Sequence, residues 1–240
     1  MSSMPAQSGV VQLPLFHAGR LKPARTPDVH AISIPARSFT GDFYFIHRAF
    51  DRLWFVLGDV AGKGLPAAVV MAMIQEELEH RIQSCARTAC DPSVTMTRLH
   101  AFLKPLVPKN RFATAVIGHL ADDGTLSIAN AGHCSPLIVR AGGQVEQVDS
   151  TGPVVGVLSS SQWCTFQTTL AHDEALVLYS DGVLEAPSPD GEEFGIERIE
   201  DGLKPVLHSS GQIAERILAA VNRHTGGVRE DDLTIVVVRR

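Results

Sequence analysis

The sequence is short of the residues that would mark several simple classes of protein. Its four cysteines, Cys85, Cys90, Cys134 and Cys164, show no C-x-x-C spacing. That argues against a zinc ribbon and a disulfide-stapled small domain, and leaves them as free thiols. No apolar run approaches the roughly 20 residues that cross a bilayer. The opening stretch MSSMPAQSGVVQLPLFHAGR has neither a basic start nor a long apolar core, so no secretory signal is expected and the chain is placed in the cytoplasm, off the membrane. A dominant charge is missing as well: the net charge of −5 gives no basic field to hold nucleic acid. Internal repeats and low-complexity tracts are absent.

What is present is an ordinary globular composition, 45% hydrophobic and 20% charged over 240 residues, enough for one large domain. Residues 1–28, rich in Ser, Pro and Ala, read as a flexible arm with a docking segment at Val10 to Phe16. A single domain is expected over 29–240. Strands are expected at His30–Ile34, Phe43–Ile46 and Trp54–Leu57. Ala67, Met71, Ile74, Leu78 and Ile82 then recur at helical spacing over a helix from Pro66 to about Ser84. Asp91 and Pro92 form an N-cap and N1 pair for a second helix that runs to Pro108. Phe112–Leu120 with Thr125–Ala129, and Leu137–Arg140 with Gln144–Val148, read as two hairpins. Cys164–Leu170 and Ala175–Tyr179 read as a third strand pair. Helices follow over Ile196–Leu207 and Gln212–His224, and Leu233–Arg239 closes the chain as a β-branched strand. Helices in pairs between blocks of antiparallel strands make the fold class α+β, with two packed sheets and helices on their outer faces.

The chain is organised around Phe55 to Ala68, FVLGDVAGKGLPAA, where an apolar strand ends on Asp59 and a glycine loop opens a helix at Pro66. Gly62 and Gly64 before a helix could cradle a phosphate. The stretch lacks, however, the third glycine of a dinucleotide fingerprint and the ending of a P-loop. Three further sites place an Asp beside a strand end: Gly41-Asp42, Asp181-Gly182 and Asp231-Asp232. Converging carboxylates either have raised pKa values or are neutralised by divalent cations, and hard oxygen donors favour Mg²⁺ or Mn²⁺ over zinc. Taken singly, each Asp-Gly could equally be a turn. Asp122, Asp123 and Asp190 are assigned to turns, and His133 to a structural role in its loop. No G-x-S-x-G elbow and no Cys–His pairing is legible, which disfavours covalent catalysis.

Seven ordered motifs then carry a resemblance: GDFYF at 41–45, GDVAGKGLPAA at 58–68, ATAVIG at 113–118, NAGHCSPLIVR at 130–140, LYSDGVLEA at 178–186, EFGIERI at 193–199 and DDLTIVVV at 231–238. Together they resemble the SpoIIE/RsbU-like bacterial serine/threonine phosphatases of the metal-dependent, type 2C-like (PPM) superfamily. The resemblance implies a β-sandwich flanked by helix pairs and two Mn²⁺ or Mg²⁺ ions at one end. It implies Asp59 as the bridging acid, the Val60 carbonyl beside it, Asp181 and Asp231 on the second metal, and Asp42 in direct or water-mediated support. Asp232 falls outside that set, because the family acid is the first of the pair. The implied reaction is hydrolysis of phosphoserine or phosphothreonine by a metal-activated water, and the implied substrate is a phosphoprotein such as an anti-sigma factor antagonist. A low-turnover regulatory module and a small-molecule phosphatase are the alternative readings. Phe45 stands where many relatives carry a further acid. With only the short arm ahead of the domain, regulation is expected from a separate partner, from the arm, or from a portion of a longer protein.

Overall fold

A computed structural model describes residues 26–36, 40–62, 64–85, 91–106, 112–204 and 208–240. The expected arm up to residue 25, with its segment Val10 to Phe16, lies outside the described residues, as do Lys63, Cys90 and Pro108. The elements are β1 (Asp28–Ile34), β2 (Asp42–Ala49), β3 (Arg52–Val60), α1 (Leu65–Cys85), α2 (Pro92–Leu103), β4 (Ala113–Ala121), β5 (Thr125–Ala131), β6 (Leu137–Val139), β7 (Val145–Gln147), β8 (Phe166–Thr169), β9 (Ala175–Tyr179), α3 (Asp181–Leu184), α4 (Gly195–Leu203), α5 (Ser210–His224) and β10 (Leu233–Arg239). Two antiparallel sheets result, one in the order β2-β3-β4-β5-β8 and the other β1-β10-β9-β6-β7. The α+β class and both hairpins, β4–β5 and β6–β7, are as expected.

Period-two alternation builds the layers. Along β3, Leu53, Phe55 and Leu57 face the other sheet, while Trp54, Val56 and Val60 face α1 and α2. β10 and β9 mirror this: Leu176, Leu178, Val236 and Val238 enter the inter-sheet core, and Val177, Tyr179, Ile235 and Val237 pack under α4 and α5. The order across the molecule is therefore helix pair, sheet, sheet, helix pair. On α1, Ala67, Ile74, Leu78 and Ile82 are buried at helical spacing, and Glu76 and His80 lie exposed on the opposite side. Asp91 caps α2 by accepting from Ser93 N at 2.8 Å, with Pro92 in the first turn. α2 ends at Leu103 rather than near Pro108, and Leu106 lies exposed beyond it.

One expected pairing is corrected. β8 and β9 do not pair with each other: β8 is an edge strand on β5, and β9 sits between β10 and β6 in the other sheet. The connection is pinned at both ends to different strands. Leu170 N donates to Gly124 O in the β4–β5 turn, while Asp173 N donates to Arg240 O just past β10. Asp173 adopts a positive φ of 68° to make that crossing. Among the described residues no helix is long and apolar enough to cross a membrane.

The sheet over which α1 and α2 pack is tight enough to give a first prediction. A Cβ on Gly118 would stand 2.4 Å from the Phe55 ring and 2.6 Å from the Ser127 carbonyl oxygen. Gly118→Ala is expected to destabilise the fold by about 1–3 kcal/mol through overpacking. Urea denaturation reads this directly, and an unchanged midpoint would contradict the packing.

Candidate metal centre

The same alternation delivers the acids. Asp42 continues the inward-facing series of Tyr44 and Ile46, Asp59 continues that of Phe55 and Leu57, and Thr234 that of Val236 and Val238. Asp42 and Asp59 are cross-strand partners. The apolar filling between the sheets thus ends, at one edge, in two carboxylates. Thr234 Oγ1 donates to Asp42 Oδ2 at 2.7 Å and fixes that carboxylate across the sandwich. Ser180 completes the seam, with its Oγ accepting from Thr234 N at 2.9 Å and donating to Asp232 O at 3.2 Å. These bonds occupy the Ser180 hydroxyl, which agrees with the absence of a nucleophile arrangement in the sequence.

Two glycines let the chain close in. A Cβ on Gly41 would lie 2.5 Å from Asp59 Oδ1 and 3.0 Å from the Val60 carbonyl oxygen, so both oxygens open onto one cradle beside Gly41. A Cβ on Gly182 would lie 2.0 Å from Asp232 O, and this close approach sets Asp181, at the start of α3, beside Asp231. Asp181 Oδ1 accepts from Gly182 N at 2.8 Å, and Asp231 Oδ1 from Asp232 N at 3.0 Å. Asp232 lies beside this set with both carboxylate oxygens engaged by backbone. Its carboxylate accepts from Ala36 N at 2.7 Å and Gly41 N at 3.2 Å and so ties down the approach to β2. Gly62 and Gly64, at φ of 113° and 81°, carry the chain from β3 into α1.

Electrostatics register the crowding. Burial pushes Asp42 up to about 8 against the Thr234 hydrogen bond, with Asp59 and Asp181 adding to the rise. Asp59 is pushed up to about 7, first by burial and then by Asp181, Asp231 and Asp232. Glu185, absent from the sequence-derived set, is raised by burial and by Asp181, Glu193 and Asp231. Burial, Asp181 and Glu185 push the Cys134 thiol up to about 12, which keeps it protonated and unreactive. Among the described residues no three His, Cys, Asp or Glu side chains are already gathered into a cation cage. The donor chemistry nonetheless fits a hard divalent ion: carboxylate and carbonyl oxygens meet at the Gly41 cradle, and ionisation of Asp42 and Asp59 is resisted by burial and by the neighbouring acids.

A cleft of 260 Å³ opens beside these acids, lined by Asp181, Glu185, Val221, Arg229, Asp231 and Leu233. Arg229 was not legible as a site residue; it lies two positions before Asp231 on an exposed loop. Thr234 and Ser180 could have been found by extending the strand alternation to the acid end. His133 is structural, as expected. Its backbone exchanges hydrogen bonds with Asn130, its Nδ1 lies 2.8 Å from Thr114 Oγ1, and burial lowers its pKa to about 4. Asp123 Oδ1 accepts from Thr125 N at 2.8 Å in the expected turn, and Phe45 packs in the core under the helices rather than in the acid cluster.

The family model described as Stage II sporulation protein E (SpoIIE) matches residues 50–240. Protein IcfG of Synechocystis is 30% identical over 243 residues, covering 88% of this chain and 38% of that protein. Phosphoserine phosphatase RsbU of Bacillus subtilis is 26% identical over 223 residues, covering 89% of this chain and 63% of that protein. The chain therefore spans less than two thirds of either relative. The SpoIIE phosphatase domain with a fragment of its regulatory domain, from Bacillus subtilis, superposes with a TM-score of 0.79 at 20% identity, covering 91% of this chain and 64% of that one. RsbX in complex with magnesium gives 0.67 at 18% identity, covering 91% and 98%. These likenesses establish the fold.

The raised pKa values carry a stability consequence. Between an unfolded value near 3.8 and a folded value near 8, the folded state binds more protons at Asp42 than the unfolded state, so this group's contribution is lost as pH rises through that window. In chelator, Asp42→Asn should therefore stabilise the protein at pH 8 relative to pH 5.5, by on the order of 2 kcal/mol. Equal effects of the substitution at the two pH values, measured by urea denaturation, would refute the buried-acid geometry.

Proposed function

The chain belongs to the SpoIIE family, and from that premise we propose that residues 29–240 act as one metal-dependent protein phosphatase domain that hydrolyses phosphoserine or phosphothreonine. The observation that carries this reading is the meeting of Asp42, Asp59, Asp181 and Asp231 at one end of the sandwich, where Asp42 and Asp59 are raised to about 8 and about 7. Two bound Mn²⁺ or Mg²⁺ ions would supply a water of lowered pKa and positive charge to offset the phosphoryl oxygens. In this reading Asp59 and the Val60 carbonyl would hold the metals at the Gly41 cradle, and Asp181 and Asp231 would hold them from the opposite sheet. Asp42, locked by Thr234 Oγ1, keeps its carboxylate turned to the centre. Asp232 positions the β2 approach through its two backbone amides. No side chain is assigned as a nucleophile; Ser180 is held in hydrogen bonds and Cys134 is protonated.

The proposed substrate is a phosphoprotein of the anti-sigma factor antagonist type, in the cytoplasm, with activity set by a separate regulatory partner. The resemblance of seven motifs supports this, as does the similarity to a relative named phosphoserine phosphatase. Hydrolysis of an aryl phosphate and of a phosphoserine peptide with Mn²⁺ tests the chemistry. Asp59→Asn and Asp181→Asn should each lower kcat by about 100-fold or more, equivalent to about 3 kcal/mol of barrier, while retaining the wild-type circular dichroism. Full activity in chelator would overturn the reading.

A further inference from the structure

A second groove, of 760 Å³, runs between α4 and α5 on the outer face of the sheet that carries β10. Its floor is made of small residues, Gly202, Ala219 and Ala220, and its walls carry Arg198, Arg216 and Arg223. Arg216, Ala219, Ala220 and Arg223 follow the i, i+3, i+4, i+7 spacing of one helix face, which puts the two arginines about 10 Å apart with the floor between them. Their charges differ from the others in the groove. Arg198 is answered by the Glu192 carboxylate at 2.6 Å and by Phe194 O at 2.8 Å, and Asp201 is answered by Lys204 at 2.5 Å. Among the described residues Arg216 and Arg223 form no ion pair, in a chain whose net charge is −5. The helix dipole favours Arg223 and His224, in the last turn of α5, but offers nothing to Arg216 two turns earlier.

The groove leads toward the acids. His224, at its end, bonds through Nε2 to Glu192 O at 2.8 Å, and Pro187 and Glu193, joined by an isolated antiparallel bridge on either side of the Asp190 turn, line the acid cleft. The two surfaces have opposite charge. Asp181, Glu185, Glu193, Glu230 and Asp231 line the cleft, so carboxylates close to a phosphoserine would be repelled there, while carboxylates farther along the same partner would meet Arg216 and Arg223.

We propose that the α4–α5 groove is an exosite that receives an acidic segment of the phosphoprotein substrate, with carboxylates on Arg216 and Arg223. The proposal rests on the phosphatase reading for its substrate, but the groove can be tested without it. Two phosphoserine peptides serve as probes, identical except that one carries a Glu-rich segment beyond a Gly/Ser spacer. With wild type, KM should be at least tenfold lower for the peptide with the acidic segment. Arg216→Glu/Arg223→Glu should abolish that difference while leaving aryl phosphate hydrolysis unchanged, and Arg216→Gln/Arg223→Gln should reduce it with less perturbation of the surface. Fluorescence anisotropy of the labelled Glu-rich segment alone reads the groove independently of turnover, so that failure of hydrolysis with retained, arginine-dependent binding would condemn the catalytic reading and not the exosite. Equal KM values for the two peptides with wild type, binding of the acidic segment that survives both double substitutions, or tighter arginine-dependent binding of a single-stranded oligonucleotide would each overturn the proposal.

Discussion

At the end of an apolar core the strands force carboxylates together against their mutual repulsion. Burial alone resists ionisation of Asp42 and Asp59, and the neighbouring acids resist it further. Such an arrangement persists because the surrounding fold overdetermines it. Eight cross-strand pairs hold β2 to β3, the Thr234 hydroxyl pins Asp42 from the other sheet, and Asp232 spends both carboxylate oxygens on the backbone before β2. Stability made in the layers is thereby held as unfavourable electrostatics at one edge, where a divalent cation would relieve it.

The layers themselves were largely legible. Alternation in Trp54–Leu57 and the helical spacing from Ala67 to Ile82 each have one physical solution, burial of one face, and the structure adopts it. Asp91 with Pro92 marked a helix start because its capping chemistry is local. β8 and β9 are adjacent in sequence, which favours a hairpin, yet the crossover between the sheets is fixed by Gly124 O and Arg240 O, far along the chain from both strands.

Site legibility followed the same divide. Asp42, Asp59, Asp181 and Asp231 share a local signature, an acid at a strand end with glycine or a second acid beside it. Thr234 and Ser180 lie on the inward alternation of β10 and β9, but the bonds from Thr234 to Asp42 and from Gly41 to Asp232 join segments 192 and 191 residues apart, so the partners are set only by folding. Likewise the acid cleft draws its carboxylates from α3 and from two loops far apart in sequence, whereas Arg216 and Arg223 share one face of α5 and gain their groove only when α4 packs beside it.

The bond from Thr234 to Asp42 joins residues 192 positions apart, and β1 pairs with β10 along its whole length. A chain emerging from a ribosome presents Asp42 and Asp59 early and Asp231 and Thr234 late. During that interval the sheet of β1 has no β10 to join, and the acids have no opposite wall. A partly made domain therefore holds Asp42 and Asp59 without the residues that stand opposite them, and the acid cluster is complete only once β10 has paired with β1.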